Sequence, residues 1–420
     1  MIDTIKKLLL STCLTTVTLL TFSQEKISQW RGEHRDGSYP DINLKTSWPE
    51  GGPALIMQLD GIGLGHSSPV IYKDHIYITG KKDSLDVLTA FDIKGKRLWE
   101  VPYGKGWYAS YPDSRNTPTI ENDRIYLSSG MGEVVCINAV NGNVIWRKDP
   151  HSEFKGVYGT WGMAESILLT DNGVISSVGG KDASVVALKK ENGDLLWKTP
   201  PTGDRRTYVS PLMIERNGQK IILSVLSDHI LGINPDNGEI LWKFNLLKDI
   251  GDTGGRRRRN YTNTPLYKDG EIFFTSGYNE PAVMLSLSPD GRSVSMKWKN
   301  DVLDTHHGGV VEVNGYIYGS NWHSNSHGNW VCIEWETGKV MYETEWHNKG
   351  QIIYADGHLY CKEEGNGNIA LAEASPSGFN IKGTFWLENR QRPFWSHPVI
   401  HDGQLYVRHG EELLVYDIKK

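Results

Sequence analysis

Residues 210–244 read SPLMIERNGQKIILSVLSDHILGINPDNGEILWKF, four short apolar runs broken by turn residues, with a Leu-Trp pair opening the last run. Runs of this length, rich in β-branched residues and bounded by Asn-Gly and similar dipeptides, are the pattern of short antiparallel strands. The same string recurs. SPVIYKDHIYITGKKDSLDVLTAFDIKGKRLWEV (68–101), TPTIENDRIYLSSGMGEVVCINAVNGNVIWRKD (117–149) and SILLTDNGVISSVGGKDASVVALKKENGDLLWKT (166–199) precede it. Weaker copies begin at Thr264, Gly308, Gly350 and Ser396. Trp99, Trp146, Trp197, Trp242 and Trp298 mark the final run of five units, and Tyr342 and Phe385 or Trp386 stand in for two more.

Eight units of four strands, each unable to bury both faces alone, predict an all-β, eight-bladed β-propeller. The eighth unit lacks its last strand, while SWPEGGPALIMQLDG (47–61) offers a spare one ahead of the first unit. Letting Ala54–Leu59 complete the last blade closes the ring and removes an open sheet edge.

At the N-terminus, MIDTIKKLLLSTCLTTVTLLTFSQEK has Lys6 and Lys7, an apolar Thr-rich run to Phe22, then Ser23. That layout predicts a secretory signal peptide at 1–23, a lead-in at 24–43 and a propeller at 44–420. The expectation is therefore an exported, periplasmic or secreted chain with no transmembrane segment once the leader is removed. Cys136, Cys332 and Cys361 remain, an odd set without tight spacing, which predicts single buried thiols and neither a disulfide framework nor a zinc ribbon. A net charge of -5 gives no general field for nucleic acid, so no such partner is expected.

The repeated "LyALd…tGeilWk" units resemble the PQQ-like, tryptophan-docked propeller family, which includes quinoprotein alcohol dehydrogenases and the propeller lipoprotein of outer-membrane protein assembly. The resemblance covers about residues 30–420, and WRGEHRDG (30–37) is similar to the opening of many secreted bacterial members. It implies that first strands line a central channel. It also implies that the loop entering each first strand shares a face with the turn between strands two and three. On that map the entering positions form a ring: His66, Arg115 and Asn116, Trp161 to Glu165, Arg206 and Tyr208, Asn263, His306 and His307, Lys349, then Trp395 and His397. Trp107 joins them from the long loop KGWYASYPDSRN.

A scaffold needs only Gly, Ser and Pro at such turns, whereas His, Arg, Asn, Trp and Tyr hydrogen-bond and stack on ligands. Two readings stay open: a small-molecule or glycan site, or polar groups satisfying backbone around a wet channel. Glu165 pairing with Arg206 is the plainer alternative to a catalytic carboxylate, and no catalytic residue is assigned. The arginine run in DTGGRRRRNY (252–261) suits solvent or an anionic glycan. His323, in the turn between strands two and three of the sixth unit, joins the ring as a candidate ligand contact. His306, His307, His323 and His327 are also candidate metal ligands by residue type, but without a placed carboxylate no metal site is assigned. The resemblance also implies PQQ with calcium as a possible cofactor, against which stands the lack of a Cys-Cys pair and of a matching Asp motif. The leading expectation is thus a ligand-binding top face with catalysis unassigned. A periplasmic oxidoreductase of alcohols or sugars, and an envelope protein-interaction scaffold, are the alternatives.

Overall fold

The computed structural model, described for residues 27–251, 259–388, 390 and 393–420, forms eight four-stranded antiparallel sheets arranged as propeller blades. The expected leader at 1–23 lies outside the described residues. In seven blades the strands are in chain order; blade 1 comprises Val70–Tyr72, His75–Lys82, Leu85–Asp92 and Arg97–Lys105. Blade 8 takes Val399–His401, Gln404–His409 and Glu412–Asp417 from the end of the chain and Ala54–Leu59 from near its start. Ala54 faces Asp417 and Leu59 faces Leu413, so the ring closes as the repeat count requires.

Burial fixes which strand lies innermost. Val70–Tyr72 and Thr119–Glu121, both first strands, are buried at every residue, whereas the fourth strand Val144–Lys148 exposes most of its residues. The third strands, such as Val134–Asn138, are apolar without alternation because a neighbouring blade covers each face.

The recurring tryptophans tie blade to blade through one repeated contact. The Trp99 indole donates to Val140 O (3.2 Å), Trp146 to Lys190 O (2.9 Å), Trp197 to Pro235 O (2.8 Å) and Trp298 to Trp335 O (3.2 Å). In each case the ring lies on a glycine of the next blade's last turn, and that glycine has positive φ. Trp242 departs from this, packing over Gly232 of the paired strand in its own blade.

A Cβ at Gly193 would stand 2.6 Å from the Trp146 ring, while one at Gly218, also at positive φ, would meet nothing within 4 Å. Both changes to Ala carry the left-handed strain, so their difference isolates the docking contact. Gly193→Ala is expected to cost about 1–2 kcal/mol more than Gly218→Ala in denaturant unfolding. Equal losses would mean that the indole moves aside freely.

The polar segment 28–39 does something the repeat did not foretell. Ser28 pairs with Ile120 in blade 2, and Ser38 pairs with Tyr354 in blade 7. Between them Arg31 donates to Val310 O, to Ile352 O (3.2 Å) and to His397 Nδ1 (3.0 Å), reaching blades 6, 7 and 8. Arg35 donates to Ser166 O (3.0 Å), Ile167 O, Pro211 O (3.1 Å) and Thr119 Oγ1 (3.5 Å), reaching blades 3, 4 and 2. A segment bonded to the inner strands or their entry loops in six blades lies across the channel. Both arginines are almost fully buried, and burial lowers Arg31 to about 10 and Arg35 to about 9, so both stay charged at neutral pH. The channel is therefore plugged by the chain itself.

Candidate functional site

Antiparallel strands alternate in direction, so links into first strands and turns between second and third strands share one face. Over the plug on that face opens a recess of about 420 Å³. The entering links contribute His66, Arg115, Trp161, Tyr208, Thr262, His306, His307, Asn348, Trp395 and His397, and Trp30 of the plug joins the lining.

Trp395 is the centre of one side. Its ring has His66 at 5.1 Å, Tyr111 at 5.1 Å and His307 at 5.4 Å, centroid to centroid. Trp161 and Tyr208, 5.7 Å apart, form a second aromatic station that comes from blades 3 and 4.

The two histidines beside Trp395 are each backed by a carboxylate. His66 Nε2 lies 3.1 Å from Asp113 Oδ2, and His307 Nε2 lies 3.0 Å from Glu364 Oε2. Burial takes His66 down to about 4 despite Asp113, so its ring is neutral at pH 7. Asp113 is held below its usual value chiefly by that hydrogen bond. Burial would raise Glu364, but His307 and Lys349 outweigh it and hold the carboxyl at about 2.

His397 is fixed differently. Arg31 donates to its Nδ1, its Nε2 donates to His307 O (3.0 Å), and burial pushes its pKa well below the usual range. Both nitrogens are used, so this ring is a neutral strut between plug and recess.

The other expected residues divide into supports and rim. Arg115 lines the recess, but its Nη atoms are engaged by Asp113 O (3.1 Å), Trp161 O (2.8 Å) and Tyr111 O, which shape two loops. Glu165 is buried away from the recess, accepting from Ser177 N at 3.0 Å with Arg206 Nη2 at 3.9 Å. Asn116 donates to Glu165 O, and Asn263 donates to Thr275 O, Thr305 O and His306 O, both from buried positions. Lys349 sits behind the recess on Glu364, and Trp107 packs on Tyr158 with ring centroids 5.6 Å apart.

His323 and His327 form a separate pair on the rim, 5.4 Å apart, with His323 on Glu343 at 3.1 Å. They do not join His306 and His307, whose rings are 4.4 Å apart. Among the described residues no group of three or more His, Cys, Asp or Glu converges as a metal site would require. Of the arginine run, residues 256–258 lie outside the described residues, and Arg259 pairs with Asp228 at 3.0 Å.

Trp30, Tyr278 and Glu364 were missed as lining residues. Tyr278 and Glu364 lie in turns between second and third strands, at the level of the histidine loop of blade 6, so the repeat map applied to those turns would have found them.

PQQ held with calcium does not fit this arrangement. Cys136, Cys332 and Cys361 are free and buried in blades 2, 6 and 7, so no vicinal pair can form a stacking platform. The carboxylates nearest the recess, Asp113 and Glu364, are already held by His66, His307 and Lys349.

Comparison with known proteins gives a family model, described as outer membrane protein assembly factor BamB, that matches residues 82–344. Outer membrane protein assembly factor BamB of Moranella endobia is 22% identical over 325 residues, covering 72% of this chain and 77% of that protein. Quinoprotein alcohol dehydrogenase PedH of Pseudomonas putida is 23% identical over 232 residues, 49% of this chain and 37% of that protein. The crystal structure of BamB from Moraxella catarrhalis superposes with a TM-score of 0.64 at 12% identity, covering 87% of this chain and 99% of that one, a likeness of fold.

Proposed function

The chain belongs to the family of outer membrane protein assembly factor BamB, and from that premise we propose that it is an exported, periplasmic protein-interaction scaffold of the bacterial cell envelope. The observation that carries this reading is the family match over residues 82–344, most of the ring. No helix among the described residues is long and apolar enough to cross a membrane.

The geometry supports the recess face as the partner's seat. Tyr108 and Tyr111, in the link from blade 1 to blade 2, are 75% and 51% exposed, and aromatic side chains of this kind anchor protein interfaces. A photoreactive residue at position 108 is expected to crosslink an envelope protein, and one at position 140 is not. Val140 is equally open to solvent but lies in a turn between third and fourth strands, on the opposite face. Crosslinks of the same kind from both positions, or from neither, would sink the assignment of the face.

The recess favours a second reading, a small molecule or glycan held on the same face. Its volume falls within the range of about 300–1,000 Å³ usual for small-molecule sites, and aromatic rings alternate with hydrogen-bonding groups around it.

A further inference from the structure

The recess has partly exposed aromatic faces but little charge left to offer. The Asp113 carboxylate lies in the field of Arg115, whose Nη atoms are taken up by three backbone carbonyls, and Glu364 is paired with Lys349. An ionic ligand would surrender its hydration and meet no unmatched opposite charge, which is costly in a partly enclosed site. A purely apolar ligand would leave the imidazoles and amides of the lining without water or partner. What remains is a neutral ligand with an apolar face and hydroxyls at its edge.

That is the chemistry of a pyranose ring, whose C–H face lies on an indole while its equatorial hydroxyls both donate and accept. Resting on the ligand-binding reading of the recess, we infer that this site binds a short neutral oligosaccharide, with one ring stacked on Trp395 between His66 and His307. Nε2 of His66 faces Asp113 and Nε2 of His307 faces Glu364, so Nδ1 of each ring is the nitrogen left to meet a hydroxyl. Trp161 and Tyr208, from the other aromatic station, would take a second ring along the chain. The recess volume suits a few rings at most, so an end or a short segment of a glycan is the unit recognised.

The test is a glycan array carrying neutral, uronate-bearing and sulfated oligosaccharides, probed with the purified chain, followed by calorimetry on the tightest hit. The expected result is a neutral glycan whose affinity falls about tenfold in Trp395→Ala, as the loss of one stacked ring implies. That affinity should be unchanged in about 1 M NaCl, where ionic contacts are screened beyond about 3 Å. Should Trp395→Ala fail to fold, Trp161→Ala at the opposite station carries the same comparison. Binding confined to uronate or sulfated glycans, weakening with salt, would overturn the neutral-saccharide inference while leaving a ligand site in place. Neutral binding that survives both Trp variants would overturn it by placing the glycan elsewhere. No glycan retained at all would overturn both it and the ligand reading, and would leave the partner-protein reading untouched.

Discussion

Arg35→Met is expected to destabilise the folded chain by about 3–5 kcal/mol, the range for removing one side of a buried charged network. The guanidinium is 1% exposed and donates to Ser166 O, Ile167 O, Pro211 O, Thr119 Oγ1 and Gln29 Oε1, so Met would strand carbonyls from two blades at once. Each buried acceptor left without a donor costs about 1–3 kcal/mol. Relief from burying the charge offsets part of this, which is why the sum is not larger. Denaturant unfolding gives the loss, and limited proteolysis locates it: cleavage within residues 27–39 should precede cleavage within the blades. A variant as stable as the parent, and equally resistant in that segment, would mean that the plug is ornament.

The second large effect is tied to pH. Glu364 has a folded-state value of about 2 against an ordinary 4.5, because His307 and Lys349 outweigh the burial that would raise it. The folded value is the depressed one, so the stability it contributes is full above pH 4.5 and fades as pH falls toward 2. At roughly 1.4 kcal/mol per unit this amounts to about 3 kcal/mol. Glu364→Gln is expected to cost about that at pH 7 and little near pH 2, flattening the acid limb of the stability curve. Unfolding measured at pH 7, 4 and 2.5 distinguishes this from a packing defect, which would cost the same at all three.

Much of this molecule was legible in its sequence because a repeat makes one inference serve eight times. Counting units gave the blades, and the missing Trp strand of the last unit pointed to Ala54–Leu59. The ring of entering positions brought His66, Trp161, Tyr208, His306, His307 and Trp395 into one recess. Where the map misled, the cause was side-chain direction. Glu165 occupies a ring position, yet its carboxylate turns to the Ser177 amide, because a backbone donor lay within reach on that side. The plug was illegible for a deeper reason. Arg31 and Arg35 bond mainly to carbonyl oxygens, and a carbonyl is the same whatever residue bears it, so the partners leave no mark in the sequence.

The placement of residues 28–39 also sets an order of events in time. Arg31 of the segment inside the ring and the strand that seals it, Ala54–Leu59, both precede the blades, while their partners in blades 6 to 8, Glu412–Asp417 among them, lie far behind them in the chain. A nascent chain must hold Ala54–Leu59 unpaired, and Arg31 without its acceptors, until blades 6 to 8 have formed behind them. Contacts so distant in sequence form slowly, and Leu59, buried once the ring is closed, stands open for that interval. The hazard of this architecture therefore falls during synthesis, before any ring exists to be stable.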